Sequence, residues 1–217
     1  SVRLPDGLTN LSAYTFSNDV TVSFYKEINH VYYLGNESND HLYCFGTTNE
    51  EEINIAEGCE GLTNSSFALS NMTISLTLPS SLKIIGDDAL KNCESIKSIV
   101  IPENVTNIGN CAFQNCYELA SVNIPNKIEV INESVFEKCR ALETIVIHNS
   151  VKEIKDAAFY ECSNLALVDM SNVDHFITGG MDMFTGCANL TIKVKEELLA
   201  QYKNDPNWKN YNFIINQ

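Results

Sequence analysis

The 217-residue chain predicts an α/β repeat solenoid, a single domain of stacked coils with a parallel β-sheet on one face and short helical or 3₁₀ turns on the other. Three features predict it: a period of 23 residues, apolar columns that keep their side-chain size at that period, and a division of each period into an alternating piece and a turn-forming piece. The segment IGNCAFQNCYELASVNIPNKIEV, residues 108–130, has no sustained helical or strand period, and INESVFEKCRALETIVIHNSVKE follows at 131–153 with the same residue types in the same places. Such a segment cannot bury its apolar side alone, so it folds against copies of itself.

The columns are explicit. Stepping by 23 places Ile55, Leu78, Ile101, Ile124, Ile147 and Met170 in one column and Leu62, Ile85, Ile108, Ile131, Ile154 and Ile177 in another. Phe67, Leu90, Phe113, Phe136 and Phe159 form an aromatic column, which resumes at Phe184 after a two-residue insertion that includes Gly179-Gly180. Ile96, Leu119, Leu142, Leu165 and Leu190 form a fourth, with Thr73 as the departure. Pro79, Pro102 and Pro125 follow the strand in three coils, His148 and Ser171 replace them in the next two, and Asp174 stands where Val105, Ile128 and Val151 predict an aliphatic. The last coils are therefore expected to be the least regular.

In chain order, residues 1–29 form a partial first coil in which Leu4-Pro5, Leu8, Leu11 and Phe16 keep the register. Residues 30–52 are a β-hairpin insertion, because 30–34 and 41–46 alternate apolar and polar around GNESND. Regular repeats fill 53–194. Within each, a piece such as LASVNIP turns Val122 and Ile124 to one side and Ser121 and Asn123 to the other, a short strand ended by a proline that cannot donate to a ladder. The piece IGNCAFQNC suits one helical or 3₁₀ turn that reverses the chain. Residues 195–217 leave the period; Glu196 to Lys203 has helical spacing before Pro206 and caps the last coil.

The consensus of these columns, Ile-Gly-x-x-Ala-Phe-x-x-Cys-x-x-Leu-x-x-Val-x-Ile-Pro, resembles the leucine-rich repeat of the BspA-like bacterial cell-surface proteins, over residues 53–194 and more weakly in the flanks. YYLGNESNDHLYCFG resembles a strand pair these proteins carry between repeats, and IKVKEELLAQYKNDPNWKNYNF resembles their closing segment. The resemblance implies a right-handed leucine-rich-repeat coil, an extracellular or cell-surface location, and adhesion to proteins or glycans, with host extracellular-matrix proteins such as fibronectin or fibrinogen among the ligands.

Composition narrows the partners. The formal charge is −14, with the densest acidic patch in EEEINIAEGCE after Asn49. Nucleic acid and anionic membrane are poor partners for such a chain. No apolar run approaches the roughly 18 residues that a membrane-spanning helix needs, and no basic-then-apolar signal stretch stands at Ser1, so no membrane insertion is expected within this chain and any signal or anchor precedes its numbering.

Of eight cysteines, Cys93, Cys116, Cys139 and Cys162 recur at 23, with Cys187 next after the insertion, a column of buried small thiols. Cys44 and Cys59 have no assigned place. No Cys-x-x-Cys pair suggests zinc. His30 and His41 flank the hairpin loop and could face one another as a metal pair, against a plain solvated hairpin. His148 and His175 stand in no nucleophile or metal motif, and no phosphate-binding or calcium loop occurs. No catalytic residue, metal site or cofactor is therefore expected, and the chain is expected to be a monomeric, non-enzymatic binding module. A hydrolase or other enzyme domain using the insertion, or a structural spacer, are the alternatives.

The candidate binding residues point outward from the strand (concave) face: Ser98, Val100, Ser121, Asn123, Thr144, Val146, Leu167 and Asp169. They differ from coil to coil while the buried columns repeat, as expected where packing fixes the columns and a partner, or nothing at all, fixes the face.

Overall fold

The computed structural model describes residues 25–35, 43–47, 50–71 and 73–215. Residues 1–24 of the partial coil expected over 1–29, and the His41 half of the expected histidine pair, lie outside them, while 25–28 of that span form an antiparallel strand instead.

Three antiparallel strands open the fold: β1 (Tyr25–Ile28), β2 (Val31–Leu34) and β3 (Tyr43–Thr47). The expected hairpin is the β2–β3 pair, and β1 adds a strand to it. Each coil then contributes two strands: β4 (Glu52–Asn54) and β5 (Gly61–Leu62), β6 (Ser75–Thr77) and β7 (Ile84–Ile85), β8 (Ser98–Ile99) and β9 (Asn107–Ile108). Next come β10 (Ser121–Val122) and β11 (Val130–Ile131), β12 (Thr144–Val146) and β13 (Glu153–Ile154), β14 (Leu167–Asp169) and β15 (Thr178–Gly179). The end is β16 (Thr191–Val194), helix α1 (Glu196–Asn204) and β17 (Asn212–Ile215). The parallel sheet is thus present, and a second parallel ladder runs beside it through β5, β7 and β9 and through β11, β13 and β15, carrying the Leu62–Ile154 column. The hairpin is continuous with this second ladder, because β3 pairs parallel with β5.

The side of the coil opposite the strand face is built from hydrogen-bonded turns in which left-handed residues recur. Ser65, Asp88, Cys111, Ser134, Ala157 and Asp182 all have positive φ, and so do Leu69, Asn92, Asn115, Lys138, Glu161 and Gly186. Asp88, Leu90 and Asn92 donate to the carbonyls of Asn110, Ala112 and Gln114 in the next coil at 2.9, 2.8 and 2.8 Å. Donors spent between coils cannot form the i→i−4 bonds of a helix, so the expected helical turn takes this form. The repeat's Ile-Gly step belongs here as well: a Cβ on Gly109 would lie 2.5 Å from Asp87 Oδ1, the atom that accepts the Asn110 N–H at 2.8 Å.

Inside, the four columns are buried almost without exception. Phe113, Phe136, Phe159 and Phe184 stack with ring centroids 5.4, 5.4 and 5.2 Å apart. The thiols of Cys93, Cys116, Cys139 and Cys162 donate to the carbonyls of Phe67, Leu90, Phe113 and Phe136 at 3.1, 3.2, 3.3 and 3.0 Å, so each sulfur closes a turn of the preceding coil. All eight cysteines are free; Cys44 and Cys59 are buried where the hairpin meets the first coil, and Cys111 and Cys187 are half-buried.

The last full coil corrects two expectations. Val173, one residue early, fills the position expected at Asp174: it is fully buried and donates to Met170 O at 3.0 Å as Val151 does to His148 O at 3.1 Å. The extra residues therefore fall between Val173 and Thr178, and Gly179 instead of Ile177 pairs with Ile154. The reason is the cap. A Cβ on Gly179 would stand 2.5 Å from Trp208 Nε1, so the indole occupies the space that an isoleucine takes in earlier coils. Buried Tyr202 accepts the Ile177 N–H at 3.1 Å, and Tyr211 accepts the Phe184 N–H at 3.4 Å while meeting the Phe184 ring edge-on. The cap also brings an unexpected strand, β17, parallel to β16.

Candidate functional site

The strand face is interrupted, and each interruption follows a strand that runs into a proline. Ile55, Ile147 and Met170 donate their backbone N–H to the next coil, to Thr77, Asp169 and Lys193 carbonyls at 3.0, 2.9 and 2.8 Å, and they precede Ala56, His148 and Ser171. Leu78, Ile101 and Ile124 are their equivalents before Pro79, Pro102 and Pro125, and none of them makes that bond. Proline has no N–H to donate and biases the residue before it toward a polyproline backbone, so the ladder is not carried past it. The face divides into β4–β6, β8–β10 and β12–β14–β16–β17, with breaks between β6 and β8 and between β10 and β12. Strands β8 and β10 have two residues, whereas β12 and β14 have three. The expectation that the last coils are least regular is thereby corrected for strand pairing: the coils that lack proline form the continuous sheet.

A cleft of about 330 Å³ lies at the second break, lined by Ala120–Ile124 of one coil and by Thr144, Val146 and His148 of the next. Val122 shows the opening directly. Its inward-facing counterparts Leu76, Ile99, Ile145, Val168 and Ile192 are buried, and Val122 is only partly so.

The eight candidate residues divide by how much freedom they keep. The side chains of Ser98, Ser121 and Thr144 are exposed and form no hydrogen bond with the described residues, and Val100 and Val146 are 78% and 46% exposed. Asn123 is committed to the fold: its Oδ1 accepts the Ile101 N–H at 2.7 Å and its Nδ2 donates to Ile101 O at 2.8 Å, which replaces the missing ladder bond. Half-buried Asp169 accepts the Ser171 N–H at 2.9 Å and lies 4.0 Å from Lys193 Nζ. Leu167 is half-buried on β14. Ser121, Asn123, Thr144 and Val146 converge on the cleft, while Ser98, Val100, Leu167 and Asp169 flank it along the ladders. Sequence reasoning missed His148 as a cleft residue and Pro125 as the cause of the opening. The signal was present in the Pro-to-His change of the column.

Chemistry elsewhere is muted. Burial pushes the Cys59 and Cys93 thiols up to about 12, and it raises Cys44, Cys116 and Cys139 well above the ordinary thiol value, so these sulfurs stay protonated and unreactive at neutral pH. His30 lies 3.6 Å from Glu27 on the solvent side of the hairpin. Among the described residues no three His, Cys, Asp or Glu side chains are grouped to hold a metal ion. In the hairpin, Tyr33 and Tyr43 are buried, and Tyr32 and Phe45 pack 6.0 Å apart and remain partly exposed.

The model of the BspA type leucine rich repeat region matches in six copies, across residues 1–93 and 38–166. The chain belongs to the BspA-type leucine-rich repeat family. Solved structures agree on the fold. A leucine rich cell surface protein from Faecalibacterium prausnitzii aligns with TM-score 0.58 and 22% identity over 78% of this chain and 54% of its own. A leucine-rich repeat protein from Eubacterium ventriosum aligns with TM-score 0.61 and 23% identity over 75% and 49%. The leucine rich repeat protein of T. pallidum aligns with TM-score 0.63 and 21% identity over 88% and 94%. The chain spans about half the length of the first two. No curated protein matches it. No helix among the described residues of this BspA-type chain is long and apolar enough to cross a membrane.

Proposed function

We propose that this chain is a non-catalytic binding module of a cell-surface or secreted protein, which holds a protein or glycan ligand, such as a host extracellular-matrix protein, on its strand face. One observation carries the reading. Above buried columns that repeat, the outward residues do not repeat, and the ladder opens at the middle of that face into a cleft of about 330 Å³. Hot spots of interfaces cluster near the centre in pockets that exclude water, and this face offers that arrangement on rigid backbone. Free hydroxyls on Ser121 and Thr144 beside Val122 and Val146 give it polar and apolar contacts together.

The test is capture of immobilised fibronectin, fibrinogen and a glycan panel by the chain and by a Thr144→Arg/Val146→Arg variant. Asn123 is left intact because its amide holds Ile101. The double variant is expected to lose capture with an unchanged circular dichroism spectrum, and Glu133→Arg, on the turn side, to keep it. Capture retained by the double variant would move the site to Tyr32 and Phe45 of the hairpin.

A further inference from the structure

On the two sides of β10 the strand face carries the same backbone feature, a residue before proline, in a satisfied and an open form. At Ile101, before Pro102, one primary carboxamide stands in for the next strand: Asn123 Oδ1 accepts the Ile101 N–H at 2.7 Å and Asn123 Nδ2 donates to its carbonyl at 2.8 Å. One coil later Ile124 precedes Pro125, and Val146 occupies the place of Asn123. Valine has neither donor nor acceptor. The Ile124 N–H and C=O consequently have no hydrogen-bond partner among the described residues, and Ile124 lines the cleft.

We propose that this cleft binds the side-chain carboxamide of an asparagine or glutamine in a protein ligand, in the position that the Asn123 amide takes at Ile101. The inference rests on the strand-face reading and names the group recognised there. Three properties of the site select that group. A carboxamide offers one acceptor and one donor in a plane, which is what an N–H and C=O on one residue require, as the Asn123 pair demonstrates within the same molecule. The lining has no Asp, Glu, Lys or Arg, so while the His148 imidazole is neutral a carboxylate or ammonium would shed its water without meeting an opposite charge, whereas a neutral amide incurs a smaller loss. Val122 and Val146 furnish apolar walls for the methylene carbons that carry the amide. Aspartate has the shape of asparagine but no donor for the Ile124 carbonyl when ionised, and leucine has the shape with neither group.

The experiment is a titration of the ¹⁵N-labelled chain with three blocked peptides, acetyl-Ala-X-Ala-N-methylamide with X as Asn, Asp or Leu, in which only the first carries a primary carboxamide. The Ile124 amide resonance should move saturably with the Asn peptide, with an affinity about fivefold above that of the other two, the factor that one net hydrogen bond supplies. Val146→Asn, which provides the amide from within, should abolish the response and slow Ile124 hydrogen exchange to the rate of Ile101. Val146→Leu, which fills the cleft without an amide, should abolish the response and leave Ile124 exchange fast. An unmoved Ile124 resonance, equal shifts from the Asp and Leu peptides, or an undiminished response in either folded variant would overturn the assignment. If the peptides fail while Thr144→Arg/Val146→Arg still abolishes capture of a matrix protein, the carboxamide assignment falls and the strand-face reading stands.

Discussion

Phe136→Ala is the substitution whose cost the structure fixes best. Phe136 is fully buried, and its ring lies between Phe113 and Phe159 with centroids 5.4 Å away on both sides and interplanar angles of 12° and 18°. Truncating a buried phenylalanine costs about 3–5 kcal/mol through lost transfer energy and a residual cavity. Phe113 is equally buried but has a ring neighbour on one side, because its column partner in the preceding coil is Leu90. Each ring–ring contact contributes about 0.5–1.5 kcal/mol beyond burial, so Phe136→Ala should fall at the upper end of the range and exceed Phe113→Ala by about that amount. Phe136→Leu, which copies the native Leu90 rung, should cost far less. Urea unfolding followed by far-ultraviolet circular dichroism and by Trp208 fluorescence measures the loss. The two signals should move together, since neighbouring coils supply each other's core and Trp208 meets the end of the same ladder at Phe184. A loss below about 1 kcal/mol, far under the cost of a buried ring, or a Phe136 variant no worse than the Phe113 variant, would refute the stacked-column argument.

The remaining predictions concern the cleft, the cap and the thiols. Pro125→Ala should let Ile124 donate to Val146 O and close the cleft; the gained bond, about 1 kcal/mol, is offset by the freer unfolded chain, so stability should change little while the Asn-peptide response disappears. Gly179→Ala sets a methyl 2.5 Å from Trp208 Nε1 and Met183 Cε and should cost about 1–3 kcal/mol with a changed indole emission spectrum. An unaltered spectrum would place Trp208 elsewhere. In the native chain few thiols should react with a chromogenic disulfide at pH 7, and nearly all eight should react after denaturation without reductant. Two or fewer under denaturant would contradict free, buried sulfurs. Because burial raises Cys59 and Cys93 from 9.0 to about 12, the unfolded chain gives up these protons first as pH rises. Stability should therefore hold below pH 9 and decline above it, by up to about 1.4 kcal/mol per pH unit for each such thiol. A pH-independent midpoint across that window would contradict the burial.

How much of this was legible in the sequence depended on whether a residue acts within its own coil or between coils. The inward columns depend only on size and period, so Phe113, Phe136, Ile124 and Cys116 could be placed from the sequence alone. The second ladder was hidden because strands of two residues, such as Asn107–Ile108, are too short to show an alternating pattern. The left-handed positions were hidden because Asp88, Cys111, Ser134 and Ala157 share a backbone conformation without sharing a side-chain type. Asn123 illustrates the limit of pattern reading. Its outward strand position suggested a free surface residue, yet its amide completes the ladder at Ile101, a fact that appears only once the neighbouring proline is seen to end the strand. The register error near Gly179 had the same origin, since the cap's Trp208 lies outside the repeat and still decides which residue can enter the column.

Amide hydrogen exchange at the six equivalent positions before the Pro column tests most directly the claim that proline opens the strand face and so makes the site. It needs no ligand and no variant. Ile55, Ile147 and Met170, which donate to the next coil at 3.0, 2.9 and 2.8 Å, and Ile101, held by Asn123 at 2.7 Å, should be protected. Leu78 and Ile124, which precede Pro79 and Pro125 and lack that bond, should exchange faster than these four under conditions where the fold stays intact. Protection of Ile124 equal to that of Ile147 would mean that the ladder runs unbroken from β10 to β12, and the cleft on which the binding proposal stands would not exist.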